Sequence, residues 1–240
     1  MKLLIGSCTK HDSQGIVNTP LFKSMIDTTQ FDVSDEENII SYESDEYDVI
    51  IRINNTDSIC KAYNKLIEFA ISNEYECLIL CHDDLSIEDK FLVKKISKGF
   101  EEGYDILGVA GAQNISLKKP ALWHLMSDQN SWSGAVAHPK NLNQIFVTNF
   151  GPAPTRCLVL DGVFLAIKVD KLTDQIRFDE NIPAIAHHYD MDFCLTANNC
   201  KLKLATWPIW VVHNSPGLER QTQEFLTAEK YFLDKWEGRN

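Results

Sequence analysis

The chain has 240 residues, 44% hydrophobic and 24% charged, a size and balance that suit one ordinary globular domain. Its formal net charge of −11 disfavours nucleic-acid binding through a broad basic surface. No apolar run approaches the ~20 residues that cross a bilayer, and Leu3-Leu4-Ile5 before Gly6 is too short for a signal-peptide core. The seven cysteines are scattered, with no Cys-x-x-Cys pair, which implies reduced thiols and a cytoplasmic setting. Between Asp32 and Asp48 there are eight carboxylates and no Lys or Arg, the pattern of a solvated surface segment.

Lys2 to Ser7 reads as a buried strand closing in Gly6-Ser7-Cys8-Thr9, small residues that let a ligand approach the backbone. Phe22 to Ile26 suits a short helix and Ile39-Ile40 a short strand. Asp48 to Ile53 is a clear strand running into Asn54-Asn55-Thr56. Asp57 is a candidate N-cap for a helix over 58–72, where Ile59, Ala62, Tyr63, Leu66 and Ala70 recur at helical spacing. Asn64 lies off that stripe. The unbroken apolar run Cys77 to Cys81 suits a strand buried on both faces. A helix follows over 88–101, then a strand over 105–110. The first half therefore has the β-α-β rhythm of a doubly wound sheet.

Residues 113–155 break the rhythm with Trp123, His124, Trp132, His138 and four prolines, and read as an irregular insertion. Their aromatic residues either stack on a ligand or anchor the loop. Strands are expected over 157–160 and 163–169. His187-His188-Tyr189-Asp190-Met191-Asp192 opens a helix to about Asn198. A strand-like stretch from Lys201 to Val212 breaks at Pro208, and a last helix covers 218–236.

Polar residues gather where these elements end. His82, Asp83 and Asp84 follow the central strand, at the edge where open α/β sheets hold ligands. Two carboxylates and an imidazole there are oxygen and nitrogen ligands suited to a divalent cation. The same residues also suit a polar turn in which Asp84 or Ser86 caps the next helix. Asp190 and Asp192 at a helix start equally suit favourable placement on the helix dipole.

Four clusters fall in a recognisable order. Ala62-Tyr63-Asn64 precedes Leu78-Ile79-Leu80-Cys81-His82-Asp83-Asp84. Then come Leu160-Asp161-Gly162-Val163-Phe164, Phe178-Asp179-Glu180 with His188-Tyr189-Asp190-Met191-Asp192-Phe193, and Val212-His213-Asn214-Ser215-Pro216-Gly217. Over residues 2–217 this order resembles the family 2-like GT-A glycosyltransferases. Two positions depart from the pattern: His82 stands where the family has the first Asp of Asp-x-Asp, and Tyr189 where it has a Glu.

The resemblance implies an α/β fold with a Rossmann-like, mixed and mostly parallel sheet flanked by helices. It implies one domain over 1–240, with a nucleotide-sugar-binding half at 1–112, the insertion at 113–155 and an acceptor and catalytic half at 156–240. The implied activity is a metal-dependent inverting transfer from a nucleotide-diphosphate sugar, UDP-sugar favoured, to an unknown carbohydrate, lipid-linked or protein acceptor. Asp190 would be the base and Asp161 would hold hydroxyls. Asp84, His213 and His82 would hold Mn²⁺ or Mg²⁺, the imidazoles favouring Mn²⁺. Thr9, Asn54 and Asn55 would meet the nucleoside, and Asn64, Asp83, Asp192 and Trp132 complete the expected substrate contacts. Two alternatives remain: a metal-dependent nucleotidyl- or phosphotransferase, and a nucleotide-sugar-binding module whose catalysis has decayed.

Overall fold

The apolar run Cys77–Cys81 lies at the middle of the fold with all five side chains buried. The computed structural model describes residues 1–117, 122–141, 144–215 and 222–237. The first half forms β1 (Leu3–Cys8), α1 (Pro20–Met25), β2 (Phe31–Ser34), β3 (Ile39–Glu43), β4 (Asp48–Arg52), α2 (Ile59–Ser72), β5 (Cys77–Cys81), β6 (Leu85–Ile87), α3 (Leu92–Glu101), β7 (Ile106–Gly108) and β8 (Ala110–Ala112). The second half adds α4 (Trp123–Met126), β9 (Trp132–Asn141), β10 (Gln144–Gly151), β11 (Thr155–Cys157), β12 (Val159–Leu160), β13 (Phe164–Lys168), α5 (Tyr189–Asn199), β14 (Leu204–Thr206), β15 (Val211–His213) and α6 (Gln223–Trp236).

The large sheet runs β11-β14-β7-β13-β5-β1-β4-β3-β2. It is mixed, as expected, but its parallel share is smaller than expected. Only β1/β4, β1/β5 and β7/β14 run parallel. Strand β13 enters antiparallel between β5 and β7, and β2 and β3 add an antiparallel edge. Apolar runs mark strands buried on both faces, and a central antiparallel strand is buried in the same way, so sequence does not separate the two directions.

Helix α2 covers this sheet because its apolar residues share one face. Ile59, Tyr63, Leu66, Ile67 and Ala70 are buried, and each large side chain removed from water contributes about 1.5–3 kcal/mol. The helix is capped by Ser58, whose hydroxyl accepts from Lys61 N. Asp57, the expected cap, instead pairs with Lys65 at 2.9 Å. Helix α6 buries Phe225, Ala228, Phe232 and Trp236. Residues 216–221, including part of the expected last helix and the Pro216-Gly217 motif end, lie outside the described residues.

A smaller sheet, β12-β8-β9-β15-β6 with β10 on β9, stands beside the first. The stretch 113–155, expected to be irregular, contributes its long β9–β10 hairpin. Small and polar residues such as Ser133, Gly134 and Ala135 gave β9 little strand signal. Exposed Ile145, Phe146 and Val147 gave β10 no alternation. Among the described residues, no helix is long and apolar enough to cross a membrane.

Candidate active site

Strand β5 ends at Cys81, and Leu85 N donates to His82 O at 3.3 Å, closing the His82-Asp83-Asp84 turn. Strand β6 leaves this turn and pairs antiparallel with β15, in a register that sets Leu85 opposite His213. Asn214 N also donates to Asp84 O at 2.9 Å. This pairing brings His213 from the far end of the sequence to Asp84. One atom from each of His82, Asp84 and His213 falls within a 4.8 Å cluster. His213 Nε2 stands 3.2 Å from Asp84 Oδ1, and His82 Nδ1 3.8 Å from the same oxygen.

Asp84 Oδ1 and His213 Nε2 are buried, and neither completes a hydrogen bond of acceptable geometry. Buried polar atoms left unpaired are costly, and two facing lone-pair donors suit a bound cation. The donor set of one carboxylate and two imidazoles fits Mn²⁺ better than Mg²⁺. Burial alone would raise the Asp84 pKa. The contact and charge of His213, with the charge of His82, outweigh it and hold the carboxyl below its usual range. Burial pushes His82 below the usual imidazole value, partly offset by Asp84.

Helix α5 supplies the second group of residues. His188 precedes it with φ of 61°, a left-handed conformation unusual for a side chain of this size. The ring of His188 is held against Phe225 and Phe232 of α6 at centroid distances of 4.7 and 5.9 Å. This bend delivers Tyr189 and Asp190 to the site. Asp190 Oδ2 accepts from Gly162 N at 3.0 Å and Oδ1 from Met191 N at 2.9 Å. Burial and the charge of Asp161 nonetheless raise the Asp190 carboxyl to about 6. Asp161 is fixed by Val163 N at 3.0 Å and by Trp123 Nε1 at 2.8 Å. Tyr189 Oη lies 2.6 Å from His82 Nε2, so the two departures from the family pattern touch each other.

Two adjoining cavities meet at His82 and Ala186. The first, of about 340 Å³, is lined in part by Thr9, Lys10, His11, Asn55, Tyr63, Asp83 and Asp84. The second, of about 350 Å³, is lined in part by Trp123, His138, Asp161, His187, Asp190 and His213. Every one of the seven histidines lines one cavity or both.

Of the residues singled out from sequence, Asp84, His82, His213, Asp190, Asp161, Thr9, Asn55 and Asp83 are brought together here. Four others are placed elsewhere. Asn64 binds the backbone of Phe178 and the side chain of Glu180. Asp192 is buried under Lys235 and Trp236. Asn54 donates to Asn38 at 2.9 Å on the surface. Trp132 donates to Ser127 Oγ at 2.8 Å and packs edge-on against Trp123 and Phe150. Lys10, His11, His138 and His187 line the cavities without having been marked. His11 and His187 carried a signal in their place just after a strand and just before a helix, whereas His138 lies inside β9 and carried none.

No curated protein matches this chain by sequence. Among solved structures, its fold is similar to S. aureus TarS, with 12% identity and a TM-score of 0.50, over 98% of this chain and 39% of that one. It is also similar to GalNAc-T7 with UDP, GalNAc and Mn²⁺, with 10% identity and a TM-score of 0.50, over 96% of this chain and 48% of that one. The chain spans less than half the length of both structures. A profile described as "Glycosyltransferase like family" matches residues 28–236. The protein therefore belongs to the glycosyltransferase-like family and has a mixed α/β fold similar to GT-A glycosyltransferases.

Proposed function

We propose that the protein is a metal-dependent inverting glycosyltransferase that moves a sugar from a nucleotide-diphosphate sugar, UDP-sugar favoured, to an acceptor hydroxyl. The observation that carries this reading is the raised carboxyl of Asp190 beside the Asp84, His213 and His82 cluster, at the junction of two cavities.

Asp84 and His213, with His82, would hold Mn²⁺ or Mg²⁺, which when bound supplies positive charge against the diphosphate leaving group. The first cavity takes the nucleoside, with Thr9, Asn55 and Asp83 on its wall. The second takes the acceptor. Asp190 removes the acceptor proton; its value near 6 keeps it ionised at neutral pH yet basic enough to accept. Each oxygen takes one backbone N–H and retains acceptor capacity for that proton. Asp161 likewise takes one N–H on each oxygen, from Val163 and Trp123, so it keeps acceptor capacity to hold a substrate hydroxyl, and its charge helps to raise the Asp190 carboxyl. One base, rather than a nucleophile and an acid, suits single displacement with inversion.

Calorimetric binding of UDP, GDP, CDP and dTDP, with and without Mn²⁺, tests this on the wild type and Asp84→Ala. One nucleotide binding only with Mn²⁺ and Asp84 is the expected result. No nucleotide binding under any metal condition would overturn it.

A further inference from the structure

We propose that Tyr189 is a positioning residue that fixes the tautomer of His82 and thereby makes Nδ1 of that ring a ligand atom of the cation site. This rests on the metal reading above and names a residue that reading does not use.

The two ring nitrogens of His82 face different surroundings. Nε2 lies 2.6 Å from Tyr189 Oη, and Nδ1 lies 3.8 Å from Asp84 Oδ1. A neutral imidazole carries one proton, and a nitrogen that ligates a metal must be bare. A proton on Nδ1 would find Asp84 Oδ1 beyond hydrogen-bond reach. A proton on Nε2 meets Tyr189 Oη at 2.6 Å, a short contact, and leaves Nδ1 bare on the Asp84 side of the ring. Ligating histidines characteristically donate their other N–H to a fixed acceptor, which orients the ring and raises its basicity.

Tyr189 holds its hydroxyl in one place beside Nε2. It is buried, and its ring packs edge-on against Tyr63 at 5.9 Å and beside Phe178 at 6.0 Å. Gly162 leaves room for the phenol; a Cβ there would overlap Tyr189 Oη. Asp190 follows Tyr189 directly in α5, so one helix start sets both the base and the orientation of a cation ligand.

The test uses the full chain. Long-range ¹H–¹⁵N NMR of the metal-free protein, with His82 assigned by its loss in His82→Ala, should show the Nε2–H tautomer. Titration with MnCl₂ alone should show Tyr189→Phe, which keeps the packed ring, weakening Mn²⁺ by about 10–100-fold. His82→Ala should weaken it at least as much, and adding Tyr189→Phe to that variant should change nothing further. An Nδ1–H tautomer in the metal-free wild type, or wild-type Mn²⁺ affinity in Tyr189→Phe or in His82→Ala, would overturn this inference alone. No Mn²⁺ binding by the wild type would overturn the metal reading and this inference together.

Discussion

Gly162 donates its backbone N–H to Asp190 Oδ2 at 3.0 Å, which joins the Asp161-Gly162 turn to the start of α5. A Cβ at Gly162 would overlap Tyr189 Oη and come within 2.8 Å of Asp190 Cβ. Gly162→Ala must therefore push α5 away. Overpacking of this kind costs about 1–3 kcal/mol, and a shift near 1 Å at a reacting group lowers the rate by about 100-fold. Thermal unfolding and single-turnover transfer measure the two effects.

Asp190→Asn should lower transfer by about 10²–10⁴-fold while metal-dependent nucleotide affinity stays unchanged. Wild-type kcat/KM should rise with pH and level off above about 6, because burial and Asp161 hold the base near that value and only its ionised form accepts a proton. Removing the Asp161 charge with Asp161→Asn should move that midpoint down. A pH-independent rate from 5 to 8 would take the base role from Asp190.

The same shift acts on stability. The folded carboxyl of Asp190 titrates near 6 against an ordinary 3.8. Its stabilising contribution is fully present below the unfolded value and is lost as pH rises through the folded one. Relative to Asp190→Asn, the wild type should lose on the order of 3 kcal/mol between about pH 4 and 7. Urea unfolding of both proteins across that range measures it.

Asn64→Ala should leave nucleotide affinity unchanged and weaken the fold. Its side chain donates to Phe178 O at 2.9 Å and Glu180 Oε1 at 2.8 Å, and accepts from Phe178 N at 3.0 Å. Losing buried partners of this kind costs about 1–3 kcal/mol. Calorimetric binding beside urea unfolding separates the two outcomes.

Lys235→Met should be more damaging. Lys235 Nζ bridges Asp179 at 2.7 Å and Asp192 at 2.8 Å, and Asp192 is fully buried. Burial would raise the Asp179 carboxyl, but hydrogen bonding from Lys235 leads the groups that bring it down to about 2. Removing one partner of a buried ion pair costs about 3–5 kcal/mol. Denaturant unfolding near neutral pH should show that loss, with Lys235→Arg recovering part of it.

Strand ends and turns were legible in the sequence because an apolar run followed by His82-Asp83-Asp84, or by Asp161-Gly162, has few other readings in an α/β chain. Residues acting across long separations were not. Asn64 meets Phe178 at a separation of 114 residues, and Asp192 meets Trp236 at 44. Both carry motif-like polar side chains, and nothing local tells a ligand contact from a strut. The contact between His82 and Tyr189 spans 107 residues, so the two departures from the family pattern looked independent. The β9–β10 hairpin escaped because Gly134 and Ala135, on its inner strand, are small.

The clasp of α6 on α5 also orders events during synthesis. Chains emerge and fold from the N-terminus at roughly 5–20 residues per second. Asp84 and its strand emerge well before His188 and Asp192 receive Phe232, Lys235 and Trp236. Until those residues leave the ribosome, Asp192 lacks both the cover and the counter-charge that α6 gives it, and the bend at His188 lacks its packing against Phe225 and Phe232. A nascent chain halted before α6 should therefore hold the start of α5 loosely and be cleaved there more readily than the full chain.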